Sequence, residues 1–240
     1  MPGQRPGRAA VEAIQTARSN GHRVFISTGR VEANVSKDVR SIGFDGGIYN
    51  AGGRAVVNST EIMNRPMPIE LVKQVTDFME MGKLVYMLEG VYDTYIIKNG
   101  ELSPIDLERF YASTEPYYIL KERQRGLQQK WTPQHRKYPV YKIDFLTESR
   151  STAEWLSEKL YAVAKVVRFD ALASDMSLMV GEVSDWSINK GEALRCICRY
   201  LGVDPADSIA FGGSMNAAEL LQAAGIGIAG KFRSRRKRNC

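Results

Sequence analysis

The apolar positions of the chain fall into two rhythms, one helical and one extended. Residues 8–20 put Val11, Ile14 and Ala17 on one helical face and stop at Asn20-Gly21, and the run Val24-Phe25-Ile26 then predicts a short buried strand ending at Ser27-Thr28-Gly29-Arg30. Val31, Val35 and Val39 predict a second helix, which leads to a strand at Ile48-Tyr49 and the turn Asn50-Ala51-Gly52-Gly53. A strand, a helix and a strand in this order imply a parallel pair. The rhythm then changes. Residues 54–57 and 61–64 flank Asn58-Ser59 as a hairpin, and Pro68 opens a helix through Leu71, Val72, Val75, Phe78 and Met79 that Gly82 stops. Strands are predicted over 83–88, 92–97 and 140–146, and Ser151-Thr152-Ala153-Glu154 reads as a capping box before a helix with Trp155, Leu156 and Leu160. Two more strands follow over 166–169 and 176–180. From Lys190 the first rhythm returns: a helix through Ala193, Leu194, Ile197, Cys198 and Leu201, a strand over 208–211, the turn Gly212-Gly213-Ser214-Met215-Asn216, a helix at Leu220-Leu221 and a strand over 226–229.

This order predicts an α/β fold with one open parallel-sheet unit, residues 1–53 and 183–240, split by an inserted α+β module over 54–182. The polar stretch 113–137 is expected to be loop-rich, and no internal repeat is visible.

Composition narrows the function classes. With 44% hydrophobic and 25% charged residues, 240 residues suffice for one large or two modest cores and exclude a fibrous or wholly disordered chain. No apolar run approaches the roughly 18 to 20 residues of a membrane span, and residues 1–8 lack the apolar region of a signal peptide. A cytoplasmic protein with no membrane partner is the expectation. Of 33 Lys and Arg residues six lie in the last ten positions, which leaves 27 against 27 Asp and Glu. The net charge of +6 is therefore that of a basic tail. Such a tail suits either a solvated, disordered end or contact with phosphate backbones; a nucleic-acid partner is not expected. Three cysteines, two of them at Cys196 and Cys198 on different faces of a helix, and two distant histidines, His22 and His135, argue against zinc.

In open parallel sheets, ligands bind beyond the carboxyl ends of the strands, where helix N-termini offer amides to anions. Three polar clusters fall there. Thr28 offers a hydroxyl and an amide, with Gly29 allowing close approach; Lys190 offers a compact positive charge; Asn216 offers a side-chain amide. Each alone is an ordinary turn or helix start. In this order and strand context the three together predict a site for a phosphate dianion.

At these residues the chain resembles the Cof-type subfamily of the haloacid dehalogenase superfamily. The matching segments are Gly21-His22-Arg23-Val24-Phe25-Ile26-Ser27-Thr28-Gly29-Arg30, Asn50-Ala51-Gly52, Asn189-Lys190-Gly191-Glu192-Ala193-Leu194, and residues 209–221 around Gly212-Gly213-Ser214-Met215-Asn216. The resemblance spans residues 9–229. It implies a Rossmann-like core with an inserted cap, a magnesium-dependent phosphatase acting on sugar phosphates or similar phosphomonoesters, and Thr28, Gly29, Arg30, Asn50, Lys190 and Asn216 as the residues that hold the substrate. Members begin with a strand ending in Asp-x-Asp-Gly-Thr, whose first carboxylate attacks phosphorus and whose second protonates the leaving oxygen; no counterpart precedes Arg8. Their fourth motif, Gly-Asp-x-x-Asn-Asp, helps to hold magnesium, and here Gly213 and Ala217 stand where its two Asp residues would be. Glu219 lies around the helix from position 217 and is a poor replacement, while Asp185 stays open as a metal ligand.

The expectation is thus a catalytically degenerate member that binds a phosphorylated small molecule, has no catalytic residue and needs no magnesium of its own. A truncated or frameshifted product and an active phosphatase using other carboxylates stand beside it. In this family the first strand lies mid-sheet, so its absence would leave neighbouring strands unpaired, a gap that dimer pairing or the N-terminal residues could fill.

Overall fold

Helix α1 (Arg8–Ser19) runs to Gly21, whose φ of +89° turns the chain out of the helix toward β1. In the computed structural model the residues described are 7–91, 94–98, 139–168, 179–213 and 217–230. Strand β1 (Phe25–Ser27) pairs in parallel with β2 (Gly46–Tyr49), Ser27 opposite Ile48. Between them the expected valine helix is broken. A 3-10 turn (Glu32–Asn34) and the single-turn α2 (Lys37–Arg40) are separated by extended Val35 and Ser36, and Ser36 caps α2 by accepting from the Val39 amide at 3.4 Å. Val31 and Val35 are both buried, so the apolar spacing is used by an irregular segment.

The hairpin of β3 (Arg54–Val57) and β4 (Thr60–Asn64) turns at Asn58 and Ser59, both with positive φ. It continues the first sheet, in the order β1-β2-β3-β4, where the sequence reading assigned it to the inserted module. The cause is packing: Ala55, Val57 and Met63 share one buried cluster with Ile48.

The inserted sheet is five-stranded and antiparallel, in the order β6-β5-β7-β9-β8, with β5 (Val85–Glu89), β6 (Thr94–Lys98), β7 (Lys142–Thr147), β8 (Lys165–Arg168) and β9 (Met179–Ser184). Helices α3 (Ile69–Met81) and α4 (Arg150–Leu160) bury Val75, Met79, Leu156 and Leu160 against Tyr86, Ile143 and Phe145 of this sheet and against Tyr141, which leads into β7. The cap of α4 is Ser149, which accepts from the Thr152 amide at 3.1 Å, so the helix starts earlier than a box at Ser151 would set. Because side chains alternate along a strand, Glu89, Lys142, Asp144, Glu182 and Ser184 project to the other face, and they too are buried.

Helix α5 (Lys190–Leu201), strand β10 (Ile209–Gly212), helix α6 (Ala218–Ala223) and strand β11 (Ile226–Ala229) complete the described fold, with β10 and β11 parallel. The open sheet exists in two pieces: among the described residues β1 hydrogen-bonds only to β2 and β10 only to β11. Helices α5 and α6 bridge the pieces, with Ala193, Ile197 and Leu220 packed against Ala210 of β10 and against Ile48, Ala55 and Val57. On the outer face of β10 and β11, Ile209, Phe211, Ile226 and Ile228 are 43–71% exposed. The predicted loop over 113–137 lies outside the described residues, among which no helix is long and apolar enough to cross a membrane.

Candidate functional site

Strand β1 delivers Thr28, and β2 delivers Asn50, to the same edge. The Thr28 amide donates to the Ile48 carbonyl at 2.9 Å, and the Asn50 amide donates to the Arg30 carbonyl at 2.9 Å, so the loops after the two parallel strands are tied together. The Arg30 amide donates to Thr28 Oγ1 at 3.1 Å, which occupies an acceptor position and leaves the hydroxyl proton to donate outward.

After β2 the chain turns through Asn50, Ala51 and Gly52 with φ of +53°, +57° and +105°. Two non-glycine residues in the left-handed region are costly, and such strain persists where the surroundings hold it. What holds it is the start of α5. Gly52 abuts the backbone of Asn189 and Lys190, and Asn189 caps the helix by accepting from the Glu192 amide at 2.7 Å. Thr28, Arg30 and Asn50 are therefore tied together by hydrogen bonds, with Gly29 in the loop between the first two, and the Asn50 turn packs on Lys190.

Lys190 is 4% exposed. Burial brings its ammonium down to about 8, against Glu182, which favours the charge, with Lys142 opposing it. A nearby dianion would restore that charge. Two further polar atoms at this edge are buried without a hydrogen-bond partner among the described residues, Ser27 Oγ and Asn50 Oδ1. Ser27 ends β1, one residue before Thr28.

Of the remaining expected positions, Asn216 lies outside the described residues. Gly213 is exposed, and a Cβ there would meet nothing within 4 Å. Ala217 is buried at the start of α6, beside Gly212. The carboxylates nearest in sequence are engaged: Asp185 accepts from the Ser187 amide at 2.8 Å and from its hydroxyl, and Glu219 pairs with Lys165 of β8. Among the described residues no three His, Cys, Asp or Glu side chains stand together as a metal-holding group. A cavity at the opposite edge, lined by Gln15, Arg18, His22, Arg23 and Asp45, is an anchor for α1. There Asp45 is pulled below the usual carboxylate range despite its burial, because Arg18 binds it at 3.0 and 3.2 Å and the Val24 amide at 2.8 Å.

The sequence reading missed Glu89, Lys142, Asp144 and Glu182 on the inserted sheet, of which Glu182 and Lys142 are close enough to act on the charge of Lys190. Lys142 donates to both oxygens of Asp144 at 2.8 and 2.9 Å and to Glu182 at 3.3 Å. Its pKa is raised by these carboxylates in spite of full burial, and Asp144 is pushed up to about 7 by burial and by Glu89 and Glu182, against Lys142. The signal was present as charged residues alternating with apolar ones in otherwise buried strands.

Known proteins share this fold. The phosphatase YwpJ of Bacillus subtilis is 24% identical over 234 residues, covering 90% of this chain and 80% of that protein. The solved structure of the HAD subclass IIB sugar phosphatase BT4131 matches with a TM-score of 0.72 at 18% identity, over 94% of this chain and 80% of that one. A haloacid dehalogenase-like hydrolase from B. subtilis also gives 0.72 at 18% identity, over 93% and 82%. At these identities the structures share the fold, and a family model for haloacid dehalogenase-like hydrolases matches residues 3–231. The chain belongs to the haloacid dehalogenase-like hydrolases.

Proposed function

We propose that this chain binds a phosphorylated small molecule at the edge formed by Thr28, Gly29, Arg30, Asn50 and Lys190, with Asn216 as a further contact, and does not hydrolyse it through magnesium. The observation that carries the reading is the packing of the buried Lys190 against the strained Asn50 turn, at the edge where Ser27 and Thr28 place their hydroxyls. The phosphatase relatives favour a phosphoester ligand. Magnesium takes oxygen ligands, usually including one or two carboxylates. The donor set here does not suit it, since Asp185 and Glu219 are engaged elsewhere and Gly213 and Ala217 carry no oxygen on their side chains. Thr28 would donate to a phosphoryl oxygen and Lys190 would neutralise it. A cytoplasmic setting belongs to the same proposal, in keeping with the free thiols of Cys196 and Cys198.

The test combines unfolding midpoints with and without millimolar phosphate and magnesium with hydrolysis of hexose phosphates. The expected result is a midpoint raised by phosphate, indifferent to magnesium, and no turnover. Magnesium-dependent hydrolysis that disappears in Lys190→Ala would overturn the reading in favour of an active phosphatase using carboxylates such as Glu182.

A further inference from the structure

The face of the five-stranded sheet that turns away from α3 and α4 carries charge. Glu89 stands opposite Lys142 across β5 and β7, and Asp144 opposite Glu182 across β7 and β9. All four are less than 10% exposed. With Lys190 they make, among the described residues and counted as ionised, three carboxylates against two ammonium groups, an excess of one negative charge that a proton on Asp144 offsets near neutrality.

Two acceptors in this region lack donors among the described residues. Glu89 Oε2 is one, on a residue 2% exposed, and Asn50 Oδ1 is the other, on a residue 0% exposed. Asn50 Nδ2 donates at 2.8 Å to the carbonyl of Gly90, the residue after Glu89, which brings the Asn50 side chain to the end of β5 that carries Glu89. That bond also fixes which end of the Asn50 amide is the oxygen. A buried acceptor without a donor is costly, and a buried uncompensated charge more so. A hydroxyl would relieve the first cost and a cation relieves both.

We infer that this seam receives the amino end of an aminated phosphoester, its ammonium donating to Glu89 and to Asn50 Oδ1 while the phosphoryl group sits at Thr28 and Lys190. The inference rests on the phosphoester site proposed above and adds the chemistry of the other end of the ligand. The proton that Asp144 keeps near neutrality stands in for that cation in the free protein.

Titration calorimetry at pH 7 tests this with two matched pairs, glucosamine 6-phosphate against glucose 6-phosphate and O-phosphoethanolamine against 2-hydroxyethyl phosphate, with inorganic phosphate as reference. In at least one pair the amine binds about tenfold more tightly, the size of one charge-assisted hydrogen bond. Glu89→Gln, which keeps the shape, abolishes that preference. Equal affinities within both pairs overturn the inference while leaving the phosphoester site intact, and so does a preference that survives Glu89→Gln. Failure of all four esters and of inorganic phosphate removes the underlying site itself.

Discussion

Gly52 and Asn189 meet backbone to backbone: a Cβ built on Gly52 would stand 2.3 Å from the Asn189 carbonyl carbon and 2.5 Å from the Lys190 amide nitrogen. The contact locks the Asn50 turn onto the start of α5. Gly52→Ala is expected to cost about 3 kcal/mol or more, from the clash and from the positive φ together. Urea unfolding measures this; a loss under about 1 kcal/mol would show that the two segments can separate freely.

Lys190 makes stability depend on pH in the alkaline range. Its folded value, about 8, lies below the ordinary 10.5, so between those two values the unfolded chain binds more protons. The cost of burying its charge is present in full below pH 8 and is relieved as pH rises toward 10.5. Unfolding free energies measured from pH 7 to 10.5 should rise by on the order of 1–3 kcal/mol from this group, and the rise should vanish in Lys190→Met.

Asp144 acts in the opposite sense. Its carboxyl is raised to about 7 from an ordinary 3.8, so the stability it contributes is whole below 3.8 and is lost as pH climbs through 7. Asp144→Asn should flatten the pH profile between these values. Thermal midpoints collected across that range decide the matter, and an unchanged slope would place the proton on another group of the cluster.

The β3–β4 turn offers a stabilising change. Asn58 and Ser59 take φ of +46° and +66°, values that a two-residue hairpin loop requires and that a serine adopts with strain. Ser59→Gly should stabilise the chain by roughly 0.5–1 kcal/mol. Chemical denaturation reads the change directly; a loss of stability would mean that the Ser59 side chain has a role in the turn.

Much of this architecture was legible in the sequence because the signals were local. Gly82 and Pro68 bounded α3, the Asn58-Ser59 pair marked a hairpin, and Asn189 marked the start of α5. Strand context and resemblance singled out Thr28, Gly29, Arg30, Asn50 and Lys190, and the structure places them along one edge. The misses were tertiary. Val31, Val35 and Val39 have helical spacing, yet the chain breaks at Val35 and Ser36. The hairpin over 54–64 reads identically whether it joins the first sheet or the second, and only packing on α5 decides. Glu89, Lys142, Asp144 and Glu182 come from three strands far apart in sequence, so no local pattern could unite them around one ammonium group.

The bare outer face of β10 and β11 sets a gradient of cooperativity across the molecule. Two parallel strands packed on one side alone hold together weakly, whereas β7 and β9 are paired on both edges within a five-stranded sheet. The pair should therefore open as its own small unit at a fraction of the global unfolding free energy, with its amide hydrogens trading with solvent long before those of Ile143 and Val183. Any ligand that grips the Gly212–Gly213 end of β10 would then act as a clasp, and its arrival would be heard first as slowed isotope exchange in these two strands.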